Sequence, residues 1–453
     1  MILWMLSWRD RQSSTPFLAA LCVTVAAAIA TGCASTNGAP TIRDVDSAIR
    51  ARSPATALRL GAPSPTPPDV SIADGVTQEE AVAIALWNSP SFQATLTDLG
   101  IARADLVDAG LLRNPILSLL FPWGPKQLEF TLQYPFDVFV QRPARIAAAK
   151  VNAQAVGERL VWDALSLIAQ VRTAHADAVL ADRQVLLATE NAALARRLAD
   201  ITDARLRAGD ISDLEARAPR SGALRTELML RTAQHDRDLA RLTLAGLLGL
   251  NEPPEQLEPK TSAAYDAAPC VIDDTRLNDA LASRPDVRAA ELGIEAATAR
   301  ARWERSRFLA LIGILDANGK GDEGFEIGPG INVDLPLFNR NQGGTARATA
   351  EIERASQLYT TARLHVVSEV RSAGVRVAQA QQALDAWTRD IMPTLEIEQR
   401  QAESAYQAGE IPLLNVLDVS RRLVDGRMQQ LTAEGGLLRS RIALDRAMGR
   451  YCR

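Results

Sequence analysis

Small or apolar residues recur in steps of four and three along one stretch: Leu160, Ala164, Leu167, Val171, Ala174, Ala178, Ala181, Val185, Ala188, Ala192, Ala195 and Ala199. This spacing predicts a long helix with a coiled-coil seam, and alanine at most of its positions lets a neighbouring backbone approach closely. Proline is absent from residues 144–218, and Gly157 is the only glycine there before Gly209. The helix predicted from Ala144 to Gly209 covers about 65 residues, roughly 100 Å at about 1.5 Å per residue. The stretch from Gly344 to Gly409 has the same length. Both end on Ala-Gly-acid-Ile, as Ala208-Gly209-Asp210-Ile211 and Ala408-Gly409-Glu410-Ile411. Glycine there supplies the left-handed conformation that turns a helix back. Two long helical hairpins are therefore expected, with Pro393 kinking or interrupting the second.

Ahead of each long helix the period drops to two. Leu128, Phe130, Leu132 and Tyr134 alternate with Gln127, Glu129, Thr131 and Gln133. Phe325, Ile327, Ile331, Val333 and Leu335 alternate with Glu326, Gly328, Gly330, Asn332 and Asp334. These are strands with one apolar and one polar face. Partner strands are expected near 116–121 and 308–316, with turns at Trp123-Gly124-Pro125 and Asn318-Gly319-Lys320-Gly321. Phe121, Trp123, Phe130, Tyr134, Phe136 and Phe139 crowd together, a density that suits a membrane-interface girdle. A soluble hairpin with one sticky face satisfies the same alternation. In a membrane, four strands cannot close a barrel, which needs at least about eight. An open edge in lipid would strand backbone polar groups, so several copies would have to share one barrel around a watery lumen.

The chain is written twice, at a spacing of about 200 residues. Arg241, Leu244 and Gly249 recur as Arg441, Leu444 and Gly449. Tyr134-Pro135-Phe136 is echoed by Leu335-Pro336-Leu337-Phe338, and Asn88-Ser89-Pro90 by Ser283-Arg284-Pro285. The expected fold is mainly α with short β hairpins, in duplicated helix–strand–strand–helix halves. The halves run over 76–252 and 275–450, joined by a connector at 253–274 and followed by a tail at 451–453.

Composition narrows the chemistry. The formal charge of −4, with no basic stripe, argues against nucleic acid as a partner. Arg9 and Arg11 precede an apolar run from Phe17 to Ala30, the features of a signal peptide over 1–32. That run is too short to span a membrane, which takes about 20 apolar residues. Ala30-Thr31-Gly32-Cys33 resembles a bacterial lipobox, which implies cleavage before Cys33 and acylation of its thiol; an ordinary cleaved signal with an incidental cysteine is the alternative. Ala34 follows, so the inner-membrane retention aspartate of lipoproteins is absent. Residues 33–75, with the run Pro63-Ser64-Pro65-Thr66-Pro67-Pro68, read as an extended tether without a packed core. Cys270 and Cys452 can pair in an oxidising periplasm.

Taken together, the lipobox, the doubled layout and the Ala-Gly-acid-Ile tips resemble the TolC-like outer-membrane efflux factors over about residues 76–450. Asn88-Ser89-Pro90, Gly110-Leu111-Leu112-Arg113-Asn114-Pro115 and Arg284-Pro285-Asp286 look closest to lipoprotein members serving metal or drug pumps. The resemblance implies a homotrimer in the outer membrane, with a shared barrel of twelve strands and a trimeric α-barrel tunnel through the periplasm. Such a channel passively conducts compounds delivered by an inner-membrane pump and a periplasmic adaptor. Leu206, Gly209, Ile211 and Ser212, with Ala408, Gly409, Ile411 and Pro412, would then meet the adaptor, although Gly and Pro also shape turns. Tyr406 and Asp418 match gate positions of the family. Ile411 and Asn415 stand where an Arg and an Asp can occur, so the gate would lean less on an Arg–Asp lock. A surface Asp418 without a gating role is the plainer reading.

No enzyme chemistry is indicated. Gly313 to Gly319-Lys320 misses the phosphate-loop spacing. Asp316, Asn318 and Asp322 do not fit a calcium loop, and His175, His235 and His365 lack metal-ligand spacing, so neither cofactor nor metal is implied. A periplasmic adaptor lipoprotein with helical hairpins is the alternative, disfavoured because adaptors carry one hairpin inside β-rich domains.

Overall fold

The computed structural model describes residues 37–53, 67, 70, 72, 74–121, 123, 128–251, 257–260, 272–308, 310–319 and 325–450. Cys33, Cys270, Cys452 and the signal sequence lie outside them. The first helix, α1 (Ile42–Arg52), corrects the tether expectation. Thr41 and Asp44 form a reciprocal capping box, and Val45 and Ile49, one turn apart, are buried. The signals for a helix were present inside a stretch whose Ser/Pro composition suggested none.

Each half then repeats one plan. In the first, α2 (Gln78–Asn88) is capped by Thr77 with Glu80, and α3 (Pro90–Gly110) starts on a proline. Strands β1 (Ile116–Leu120) and β2 (Leu128–Pro135) follow, then α4 (Asp137–Ala208) and α5 (Asp213–Leu248). In the second, α6 (Asp274–Ser283) and α7 (Pro285–Ser306) lead to β3 (Leu311–Gly319) and β4 (Phe325–Val333). The long helix comes next in two pieces, α8 (Gln342–Asp385) and α9 (Met392–Gln407), joined by a π-helical segment at Ala386–Ile391; α10 (Leu413–Met448) returns. Both tips turn on left-handed glycines, Gly209 (φ 83°) and Gly409 (φ 77°). Both returning helices are 36 residues long and end on left-handed Gly249 and Gly449.

The 4-3 seam of α4 is the buried stripe: ten of its twelve positions are buried, and Val185 and Ala192 are half-buried. The helix begins seven residues before Ala144 because Pro143 lies within its first two turns, where few intrahelical hydrogen bonds are lost. Pro393 interrupts the second long helix as expected. With no N–H to give and a ring that crowds the carbonyl of Arg389, it is accommodated by a wider turn, in which the Met392 N–H bonds Trp387 O, five residues back.

The four strands form one antiparallel sheet in the order β1-β2-β3-β4. β3 lies three residues later than expected, since the chain leaves α7 through a turn at Arg307–Phe308. Asn318-Gly319 is not the hairpin turn: it forms the last rungs of β3, opposite Glu326 and Phe325. By contact density the chain divides into two compact units, each drawn from both halves. One holds residues 99–156 and 290–359 with the sheet; the other holds 41–98, 157–289 and 360–453 with both tips. Among the described residues no helix is long and apolar enough to cross a membrane.

Candidate functional site

Residues directly opposite in an antiparallel ladder share a face. The register therefore sorts the sheet completely. One rung runs Leu119, Phe130, Ala317, Ile327; the neighbouring rung on that face runs Leu117, Leu132, Leu315, Pro329. With Leu128, Tyr134, Leu311, Gly313, Ile331 and Val333 this face carries no charge. The opposite face holds Ser118, Glu129, Thr131, Gln133, Asp316, Asn318, Glu326 and Asn332. The Thr131 hydroxyl donates to Asp316 Oδ1 (2.8 Å) and the Asn318 amide to Asp316 Oδ2 (2.9 Å), which orders the polar face. Ile116 and Leu120 of β1 and Ile312 and Ile314 of β3 also sit there, and they are why β1 and β3 do not alternate cleanly in sequence. Ile327 and Ile331 are 66% and 73% exposed, so the apolar face is open.

At one end of that face Tyr134 packs against Phe136 (ring centroids 5.5 Å apart) and Phe139 (5.9 Å). Phe136 lies where a side chain at residue 313 would stand, so Gly313 is required by the close approach of the ring. Among the described residues β1 and β4 are each paired on one side only, leaving both outer edges open.

The tips are matched in backbone and unlike in capping. Gly209 N–H bonds Leu206 O and Asp210 N–H bonds Arg205 O; Gly409 N–H bonds Tyr406 O and Glu410 N–H bonds Ala405 O. Gly209, Ser212, Ala408, Gly409 and Pro412 are exposed, whereas Leu206, Ile211 and Ile411 are half-buried. Ile411 packs on Ala402, Val416 and Val419. Ser212 caps α5 in a box with Glu215, whose carboxyl is held below its usual range by the Ser212 N–H and hydroxyl. Pro412 gives α10 no side-chain cap.

Tyr406 on α9 is 43% exposed. Asp418 on α10 lies 3.6 Å from Arg422, which in turn reaches Glu398 at 2.9 Å. No hydrogen bond joins Tyr406 to Asp418 within one chain. The sequence reading missed Arg422 and Glu398; the i,i+4 spacing of Asp418 and Arg422 was the available signal.

It also missed what Arg284 does. That side chain is fully buried, paired with Asp286 (2.7 Å) and Glu369 (2.6 Å), and donates to Ala447 O at the end of α10 (2.8 Å). Its guanidinium lies 4.1 Å from the Trp162 ring. Burial opposes its charge, but the two carboxylates outweigh burial and hold the group above its ordinary pKa. In the first half the residue before the matching position, Asn88, takes the comparable part: its amide donates to Leu248 O and Gly249 O at the end of α5.

Comparison with known proteins agrees with this geometry. The profile described as outer membrane efflux protein matches residues 126–250 and 277–450. The cobalt-zinc-cadmium resistance protein CzcC of Cupriavidus metallidurans is 25% identical over 393 residues, 83% of this chain and 90% of that protein. The nickel-cobalt-cadmium resistance protein NccC of Alcaligenes xylosoxydans xylosoxydans is 26% identical over 379 residues, 81% of this chain and 85% of that one. Among solved structures, CusC superposes with a TM-score of 0.68 at 19% identity, covering 86% of this chain and 98% of CusC.

Proposed function

The chain belongs to the outer membrane efflux protein family, and on that premise we propose how its own residues build the channel. The family's members are passive outer-membrane channels, not enzymes; they form trimers and work with an adaptor and an inner-membrane pump. The adaptor reading has no support from these relatives.

Three copies of this chain close one barrel, the apolar face toward lipid and the polar face toward the lumen. The observation that carries this is the sheet itself: one uncharged open face, one polar face, and two unpaired outer edges. The helices offer matching margins. Leu214, Leu224, Leu228, Leu239 and Leu242 form an exposed stripe on α5, and Leu364 and Val375 are exposed on α8. Contact between these apolar stripes of neighbouring copies would remove them from water.

A lipid at Cys33 anchors the chain beside the barrel. Gly38 lies against Lys150, and its carbonyl accepts from Gln154 (3.4 Å). Lys150 is about 20 Å along α4 from Asp137, next to the sheet, at about 1.5 Å per residue. The five residues back to Cys33 span up to about 17 Å, enough to approach the aromatic corner. The tips at 206–212 and 408–412 meet the adaptor. Tyr406 and Asp418 narrow the periplasmic end, Asp418 acting with Arg422 and Glu398. Metal cations are the cargo favoured by the names of two relatives, which match more than four-fifths of the chain.

Full-length protein released by detergent should run as a trimer and conduct ions in a planar bilayer, with conductance rising in the Tyr406→Phe, Asp418→Ala double variant. Monomeric, non-conducting material would reject the channel assembly; a trimer whose conductance ignores the double variant would reject the gate alone.

A further inference from the structure

The two halves differ where the sheet hands over to the long helix. In the first, β2 runs into α4 through Phe136 alone; in the second, the link 334–341 lies between β4 and α8. A one-residue joint is therefore sufficient for the fold. The longer link exposes Leu335, Leu337 and Phe338, the last by 91%, and Phe308 is exposed beside it. Together with the turn that leaves α7, the link encloses a recess of about 410 Å³. Its wall includes Arg307, Phe308, Asp334, Leu335, Phe338 and Asn339, all within the compact unit that holds the sheet.

The recess is held in shape by an unusual residue. Among the described residues Asn341 is the only non-glycine with a left-handed backbone (φ 56°). Its amide donates to Glu304 O (2.7 Å) and Glu304 Oε2 (2.8 Å), and its N–H donates to Asn339 Oδ1 (3.0 Å). Such a conformation persists where surrounding bonds fix it, and it clusters at sites of function. Two guanidiniums are set beside the recess with donors to spare. Arg307 Nη1 is held by both oxygens of Glu304 (3.2 and 3.1 Å), and its guanidinium lies 5.2 Å from the Trp303 ring. Arg340 Nε donates to Pro336 O (3.1 Å). Among the described residues Nε and Nη2 of Arg307 and both Nη groups of Arg340 have no acceptor, and the Asp334 carboxylate has no donor.

We propose that this recess binds the head group of a phospholipid carrying a primary ammonium, one molecule per chain. Arg307 and Arg340 donate to the phosphate, Asp334 accepts from the ammonium, and Phe308, Leu335 and Phe338 lie along the glycerol and the first acyl carbons. Guanidinium forks match phosphate oxygens in geometry and charge, and an ammonium answers a lone carboxylate. Apolar side chains beside arginines suit the depth at which a bilayer turns from hydrocarbon to head groups. The inference rests on the reading of the sheet's apolar face as lipid-facing, because the link leaves that face at Val333 and continues it toward the helices. A small free phosphate would satisfy the arginines but leave Leu335 and Phe338 in water.

The test uses full-length trimers in detergent, measured by native mass spectrometry after adding phosphatidylethanolamine, phosphatidylglycerol or phosphatidylcholine. The second lipid lacks the ammonium, and the third carries a quaternary one with no N–H to give. Phosphatidylethanolamine should be retained with an affinity about tenfold above the other two. Asp334→Asn should abolish that preference while phosphate binding persists. Arg307→Gln or Arg340→Gln should weaken all three lipids by about tenfold. Arg340 makes only a backbone contact through its side chain, so its variant serves if Arg307→Gln does not assemble. Arg347→Gln, exposed on α8 outside the recess, should change nothing. Soluble phosphoethanolamine should compete poorly; full competition would make this a small-phosphate site and overturn the lipid. A trimer without head-group preference, or with one that survives Asp334→Asn, would overturn the proposal and leave the channel reading intact. Such a trimer that is also lost in Phe338→Ser would give the recess to a neighbouring copy. Absence of trimers in the unsubstituted protein would reject the channel reading itself, and this site with it.

Discussion

The first and second halves share a plan but not a mechanical character. Both turn on left-handed glycines, both return through 36-residue helices, and both close against the start of their own repeat. Yet the first half is locked by a neutral amide, a serine cap and an uninterrupted helix. The second is locked by a buried guanidinium between two carboxylates, starts α10 on an uncapped proline, and breaks its long helix at a π-turn. Divergence gave the second half a charged anchor at its base and a π-turn with an uncapped proline toward its tip. The lesson is that two copies of one scaffold can keep a shared backbone plan while changing what holds each of them together.

The largest expected difference is at the two bases. Arg284→Ala leaves Glu369 and Asp286 without their buried partner and should cost about 3–5 kcal/mol. Asn88→Ala leaves two carbonyls short of a donor and should cost about 1–2 kcal/mol. Thermal unfolding of the detergent-solubilised protein measures both; equal losses would erase the asymmetry.

The sheet is where the halves should behave alike. Phe130→Lys in β2 and Ile331→Lys in β4, on the same apolar face, should each cost about 2–4 kcal/mol of membrane assembly. Gln133→Lys and Asn332→Lys, on the polar face, should leave the amount of trimer in outer-membrane fractions nearly unchanged. A charge tolerated at Phe130 or Ile331 would put that face in water.

His175 separates the halves by pH. It is buried, its Nε2–H donates to Val76 O (2.8 Å), and burial holds its pKa below the ordinary 6.5. The folded state therefore keeps it neutral, and its contribution to stability is constant above about pH 6.5. As pH falls below that, the unfolded chain takes up a proton the folded one does not, so stability declines by up to about 1.4 kcal/mol per pH unit until the folded pKa is reached. His175→Gln should flatten that slope; an unchanged slope would assign it to other groups. The second half has exposed Val375 at the matching place and contributes no such term.

The smallest effect is at the tips. Ser212→Ala should cost about 1 kcal/mol and speed amide exchange in the first turn of α5, whereas Pro412→Ala should change α10 little. Similar exchange in both would mean that capping does not distinguish the tips.

Much of this plan could be read from residue order. The seam of α4 and the tips were legible because helix period and glycine turns are local, and β2 and β4 because period two is local. β3 was blurred by Ile312 and Ile314, whose face only the cross-strand register assigns. Helix α1 was hidden by the composition around it, although Thr41 and Asp44 already spelled its cap. The Arg284 node was out of reach for a different reason. Glu369 and Ala447 lie 85 and 163 residues further along, and no spacing rule connects them.

The central claim, that neighbouring copies complete each other's sheet, is tested most directly by joining β1 of one chain to β4 of the next. Within one chain those strands are separated by three spacings of about 4.8 Å, about 14 Å in all, beyond a short bis-maleimide of about 8 Å. With Leu119→Cys paired in turn with Ile327→Cys, Ile331→Cys and Val333→Cys, in a chain otherwise lacking Cys270 and Cys452, at least one pair should let the reagent convert membrane-embedded protein into covalent dimers and trimers. Monomers alone for every pair, with both cysteines modified, would contradict a shared barrel.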